Sequence, residues 1–270
     1  MTPAVQSSDL LAAIVAATRR IIAVRAAGVP MADLERRAAG IEPRPGAFAA
    51  AVAQSGRCNV IAECKRRSPS RGTLRLEYDP AAIATSYEHA GAAAISVLTE
   101  GAFFDGTLDH LAAVRQATSL PILRKDFIVD RYQVYEARAA GADAILLIVA
   151  ALSRLSLAEL HAAAVDAGLD VLVEVHDLAE ITAAVDAGAS IIGVNNRNLR
   201  TLAIDVEVSA RAIELIPDAV VAIAESGLKT GEDVRRLRQA GYDAFLIGER
   251  FMTTPDPGGA LMLLLESVGG

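Results

Sequence analysis

A few short strings in this 270-residue sequence bring acids, bases and glycines close together. Glu63, Cys64 and Lys65 run on into Arg66, Arg67, Ser68, Pro69 and Ser70, and Arg124, Lys125, Asp126 and Phe127 form a second string. Further along stand Thr99-Glu100, Glu174-Val175-His176, Asn195-Asn196-Arg197, Glu225-Ser226-Gly227 and Gly248-Glu249. Brought into one apolar-walled mouth, two lysines, three carboxylates and an arginine shift one another's proton affinities in opposite directions. Such a set supplies both an acid and a base. The same residues are also readable as ion pairs closing the top of a barrel; their convergence as a whole set favours chemistry. Of the 26 basic residues only Lys65, Lys125 and Lys229 are lysines. An ammonium can release a proton at accessible pH and a guanidinium cannot, so a lysine kept against an arginine bias hints at a chemical need.

The elements that must position these residues repeat. An Ala-rich amphipathic stretch, a glycine break and a short apolar run recur, with breaks at Gly91, Gly141, Gly168, Gly188 and Gly241. Glycine suits the left-handed position that ends a helix, and a continuous apolar run suits a strand buried on both faces. The runs lie at 93–98, 144–149, 171–175, 191–194 and 244–247. The doubled spacings from Gly91 to Gly141 and from Gly188 to Gly241 each hide one more strand, at 121–123 and 219–224. With 60–62 in front the total is eight, alternating with helices. That pattern predicts a single α/β domain, a (β/α)8 TIM barrel, at a length typical of one. Residues 1–50 fall outside the repeat. A helix over 8–27, capped by Ser7 or Ser8, and a second over 31–39 are expected, with Pro43 and Pro45 marking a linker into the first strand. This segment reads as an N-terminal helical extension packed on the barrel formed by 51–270.

In such barrels the chemistry sits at the carboxyl ends of the strands, where the strings above fall. Side chains alternate along a strand, so Glu63 and Lys65 point into the mouth together while Cys64 faces the helices. Leu172 and Glu174 share a face by the same parity, as do Asn195 and Arg197. Ser226-Gly227 and Gly248 let backbone amides approach an anion after the last two strands, the usual phosphate cradle of the fold. Lys65 and Ser68 offer a counter-charge and a hydroxyl there. His89, His110 and His161 fall in helical stretches as surface or packing residues, His176 is a candidate for the mouth, and Lys229 is expected to open a surface helix.

Hydrophobic residues make up 53% of the chain and charged ones 22%, which excludes disorder, and no apolar stretch is long enough to span a bilayer. A formal charge of −7 argues against nucleic acid. Two cysteines, Cys58 and Cys64, imply neither a disulfide framework nor a structural zinc, and no secretory signal stands at the N-terminus, so a cytoplasmic location is expected. No His/Asp/Glu spacing suggests a metal, and no dinucleotide or nucleotide-phosphate signature is present. The expected partner is a small phosphorylated molecule, with no membrane, for a monomer or weak homo-oligomer.

These strings resemble the indole-3-glycerol-phosphate synthase family. The first-strand string from Ile61 through Ser70 carries much of the likeness, as do Leu123-Arg124-Lys125-Asp126-Phe127-Ile128, Leu98-Thr99-Glu100 with Phe104 and Gly106, and Leu172-Val173-Glu174-Val175-His176. Gly193-Val194-Asn195-Asn196-Arg197-Asn198-Leu199 and Ala224-Glu225-Ser226-Gly227 complete it. The resemblance implies closure of 1-(2-carboxyphenylamino)-1-deoxyribulose 5-phosphate to indole-3-glycerol phosphate with loss of carbon dioxide and water. That is the ring-forming step of tryptophan biosynthesis, and it runs without a cofactor. It implies Lys125 as general acid, Glu174 as the facing acid/base group, Glu63 and Lys65 as a pair aiding dehydration, and Asn195 and Arg197 on the anthranilate carboxylate. Glu225 would take the sugar hydroxyls, while Phe104, Phe127 and Leu146 wall the aromatic ring. Ser68, Lys65, Ser226, Gly227, Gly248 and Glu249 would hold phosphate. Arg250 departs from the family's usual small residue. The rivals are phosphoribosylanthranilate isomerase, a Schiff-base aldolase using Lys125, and a non-catalytic phosphate-ligand binder.

Overall fold

The computed structural model describes residues 9–269. Eight parallel strands close into a barrel: β1 (Asn59–Cys64), β2 (Ala94–Leu98), β3 (Ile122–Lys125), β4 (Ala144–Ile148), β5 (Asp170–Val175), β6 (Ile191–Asn195), β7 (Val221–Glu225) and β8 (Ala244–Ile247). Each pairs with its sequence neighbours, and β1 pairs with β8 from Asn59 opposite Ala244 to Ala62 opposite Ile247. All five break glycines have positive φ, from 74° at Gly168 to 117° at Gly241, as the helix-ending reading requires.

Strand parity divides the core in two. Val60, Ala62 and Cys64 of β1 pack outward against the helices, with Ile145, Leu147, Val173 and Val175 of other strands. Ile61 points inward with Leu123, Leu146, Ile148 and Leu172. Because β1 alternates, Glu63 and Lys65 continue the inward row, and by the same rule Lys125 continues that of Leu123 and Glu174 that of Leu172.

The N-terminal segment differs in detail from expectation. Helix α1 spans Leu10–Gly28, and Asp9, not a serine, accepts from the Ala12 amide as its cap; Ser7 and Ser8 lie outside the described residues. Helix α2 covers Met31–Ala39. What reads as linker after Pro43 and Pro45 contains a third helix, α3 (Ala47–Val52), which carries residue 50 within it and so joins extension to barrel. Phe48 and Val52 of α3 fill the barrel floor, and Asp170, the first residue of β5, accepts from the backbone amides of Gly46, Phe48 and Ala49. At the opposite end Leu10 and Ile14 of α1 reach the mouth. The extension therefore plugs one end of the barrel and roofs part of the other.

Candidate active site

A cavity of about 350 Å³ opens at the carboxyl ends of the strands. That volume suits a small ligand. Every residue given a catalytic, substrate or phosphate role from the sequence lines it, from Glu63, Lys65 and Ser68 of the first unit to Gly248 and Glu249 of the last, and the mouth candidate His176 does not.

Lys125 stands at the centre. Its Nζ donates to Glu174 Oε2 at 2.8 Å and lies 3.3 Å from Glu225 Oε2. Burial alone would discharge an amine, but the carboxylates of Glu174, Glu225 and Glu63 outweigh it and hold the ammonium well above the usual lysine range. Burial likewise pushes Glu174 upward, yet Lys125 and His176 overcome that and keep its carboxyl ionised far below the usual range. For Glu225 the balance reverses: burial and the neighbouring Glu174 charge hold its proton on, against the pull of Lys125.

Glu63 and Lys65 form a second pair, with Nζ donating to Oε2 at 2.5 Å. Two glycines make room for these acids. A Cβ on Gly248 would collide with the Glu63 carboxylate, and one on Gly193 of β6 would collide with that of Glu225. Here glycine supplies space, not flexibility. Cys64 points the other way, fully buried, its thiol pushed up by desolvation.

The residues expected to wall the ring and to hold phosphate also come together in the cavity. Phe104 and Phe127 face each other with ring centroids 6.1 Å apart, near Leu146. Ser226 holds φ 64° and Gly227 φ 79°, a turn fastened by Asn196 Nδ2 donating to the Ser226 carbonyl at 3.1 Å. Ser68 Oγ stands 3.4 Å from Ser70 Oγ. Asn195 Oδ1 accepts from the Arg197 amide at 3.0 Å.

Four placements differ from the sequence reading or were missed by it. Glu249 was expected at the phosphate, but its carboxylate pairs with Arg71 at 2.9 Å and Arg197 at 3.3 Å, leaving only its backbone for an anion. Lys229 lies on the cavity rim in the turn before the helix Gly231–Ala240, which Thr230 caps. Arg250 donates to the Lys229 carbonyl and so ties the turns after β7 and β8 together. His176 does not line the cavity; it reaches Glu174 from behind, Nε2 to Oε1 3.2 Å, and its charge is held up to about 9 because the carboxylates of Glu174 and Glu180 outweigh burial.

The string around Lys125 splits by parity. Arg124, with no exposure, points away from the mouth and donates to Asp126 at 2.8 Å, Glu136 at 3.2 Å and Thr99 Oγ1 at 3.1 Å. This network fixes the strand end from which Lys125 projects. Among the described residues no group of three or more His, Cys, Asp or Glu side chains is placed to hold a metal. No helix among them is long and apolar enough to cross a membrane.

The family model described as indole-3-glycerol phosphate synthase matches residues 11–263. A curated relative of that description from Laribacter hongkongensis is 47% identical over 94% of this chain and 98% of its own length. Another, from Rhodospirillum rubrum, is 47% identical over 96% of this chain and 99% of its own. A solved structure described as thiamine phosphate pyrophosphorylase from Pyrococcus furiosus superposes with a TM-score of 0.58, covering 78% of this chain and 97% of that one. At 18% identity it shares the fold alone.

Proposed function

The chain belongs to the indole-3-glycerol phosphate synthase family, and from that premise we propose how its barrel mouth closes an indole ring. It is a carboxy-lyase of tryptophan biosynthesis that converts 1-(2-carboxyphenylamino)-1-deoxyribulose 5-phosphate to indole-3-glycerol phosphate, carbon dioxide and water. The observation that carries the assignment of roles is the Lys125 ammonium, buried between two glutamates at the centre of the cavity.

As the aromatic carbon bearing the carboxylate attacks the ribulose carbonyl, charge develops on the carbonyl oxygen. Lys125 delivers a proton there. An alkoxide is more basic than an amine, so an ammonium held above its usual range still gives up its proton, and the ionised Glu174 beside it ensures that it arrives charged. A positioned acid of this kind typically contributes about 10²- to 10⁴-fold. Loss of carbon dioxide restores the aromatic ring and requires mainly a dry wall, supplied by Phe104, Phe127 and Leu146. The new hydroxyl then leaves as water. The Glu63–Lys65 pair protonates it, and Glu174 takes the proton released from the ring.

The remaining groups bind. Asn195 and Arg197 hold the anthranilate carboxylate, and Arg197 exchanges Glu249 for it. Glu225, carrying a proton, donates to a sugar hydroxyl. Ser68, Lys65 and the backbone at Ser226, Gly227, Gly248 and Glu249 receive the phosphate. We place the enzyme in the cytoplasm, where its free buried cysteines, Cys58 and Cys64, stay reduced. It acts as a monomer or weak homo-oligomer, with neither nucleic acid nor membrane as a partner. The direct test is addition of the carboxyphenylamino-deoxyribulose phosphate. Indole fluorescence with one carbon dioxide released per turnover is expected. Trapping of substrate carbon on Lys125 by borohydride would instead favour a Schiff-base aldolase.

A further inference from the structure

Lys125 has two buried carboxylates as partners, and only one of them is held from a second side. Glu174 gives Oε2 to Lys125 at 2.8 Å, and its Oε1 lies 3.2 Å from His176 Nε2. The imidazole approaches too obliquely for a hydrogen bond, so the contact works through charge. Neither oxygen of Glu225 has a hydrogen-bond partner among the described residues. His176 is itself anchored by Glu180, whose Oε2 accepts from the His176 backbone amide at 2.6 Å and lies 3.6 Å from Nδ1.

We propose that His176 is a positioning residue that selects Glu174, and not Glu225, as the ionised partner of Lys125, with Glu180 holding the imidazolium in place. The proposal rests on the acid–base reading of Lys125 and Glu174 given above, and adds where the proton between the two glutamates resides. Two carboxylates sharing one ammonium in a buried site resist double ionisation, so one of them keeps a proton. An opposite charge within about 4–6 Å changes a carboxyl's proton affinity by roughly 10- to 1000-fold, which is enough to break the tie. Among the described residues only Glu174 has such a second cation in contact. The directions of the charges agree: His176 is held up to about 9, Glu174 is held ionised, and Glu225 is pushed up to about 8, first by burial and then, against Lys125, by the Glu174 charge. At neutral pH the site therefore contains a base at Glu174 and a hydrogen-bond donor at Glu225, two roles that identical side chains do not divide unaided.

The charged groups around the imidazole are few. Glu174 comes from β5 and Glu180 from the helix Leu178–Asp186, while Asp177 turns its carboxylate to cap that helix. The short turn Val149–Ala151, packed against β5 and this helix, brings no titratable side chain. Arg197, just past the end of neighbouring β6, is engaged by Glu249.

The test combines NMR titration of the histidines with turnover against pH for the parent, His176→Asn and Glu180→Gln enzymes. His176→Asn keeps a polar side chain without charge and also identifies the His176 resonance. The expected results are a His176 resonance titrating near 9 and, in His176→Asn, a turnover at neutral pH reduced about tenfold with KM within about twofold. The acid limb of that profile moves up by about one pH unit. In Glu180→Gln the imidazole titrates lower and activity is lost at correspondingly lower pH on the alkaline side. A His176 resonance titrating near the ordinary histidine value of about 6.5 would overturn the proposal. So would a His176→Asn enzyme that loses thermal stability but keeps the parent pH profile. Either result leaves the acid–base reading intact, whereas near-normal turnover in Lys125→Met would overturn that reading instead.

Discussion

Lys125 of β3 donates to Glu174 of β5 across the end of a strand that lies between them, at 2.8 Å. The intervening β4 is apolar throughout, and its Leu146 and Ile148 face the cavity beneath this bridge. Water near the pair is thereby restricted and the charge interaction strengthened. Glu174→Gln keeps the shape but not the charge, so turnover should fall by roughly 10²-fold or more with a much smaller change in KM. Steady-state indole fluorescence reads this directly.

Glu225 carries a stability signature. Its ordinary value is 4.5, and in the folded chain it is pushed up to about 8. Between these values the unfolded chain has released a proton that the folded chain keeps, so stability falls as pH rises through that window. Glu225→Gln removes the dependence. Relative to the parent, its melting temperature should improve by several degrees on moving from pH 5 to about pH 8.5, for an effect of order 1–3 kcal/mol. Thermal unfolding of both proteins at the two pH values checks this.

Gly248→Ala tests the space left for Glu63. The added Cβ would meet the Glu63 carboxylate, Cβ and Cδ, so Glu63 must move and release Lys65. Overpacking of this kind costs about 1–3 kcal/mol. Turnover should drop by at least tenfold, because the displaced group belongs to the pair assigned to dehydration. Accumulation of a decarboxylated but still hydroxylated intermediate in rapid-quench samples would identify the affected step.

Arg250 joins the two turns proposed to receive the phosphate through its bond to the Lys229 carbonyl. Arg250→Ser cuts that tie and removes a positive charge from the rim. KM should rise by about three- to tenfold with kcat nearly unchanged, the pattern of lost uniform binding. Inorganic phosphate should weaken in parallel as a competitive inhibitor.

The parts of this molecule legible in the sequence are those that depend on period and parity. Buried parallel strands show as continuous apolar runs, and alternation alone puts Glu63, Lys65, Lys125 and Glu174 on the inner row. Other parts depend on contacts between distant segments. Helix α3 has six residues, too few for a helical period, and its role at the barrel floor depends on Asp170, far along the chain. That Arg71 and Arg197 claim the Glu249 carboxylate, leaving only its backbone for an anion, is such a contact. His176 sits beyond the end of β5, where parity no longer predicts direction, and only the fold shows it behind Glu174. Arg124 and Asp126 flank Lys125 in sequence but turn outward to brace the strand.

The role proposed for the Lys125 ammonium is to protonate the carbonyl oxygen as the ring closes. Single-turnover indole formation by Lys125→Met, with folding verified by its melting curve and substrate binding by titration, tests this most directly. Methionine keeps the unbranched shape up to the ε-carbon and removes the ammonium. A rate lowered by about 10²- to 10⁴-fold with binding largely preserved is predicted. A single-turnover rate close to that of the parent would contradict it.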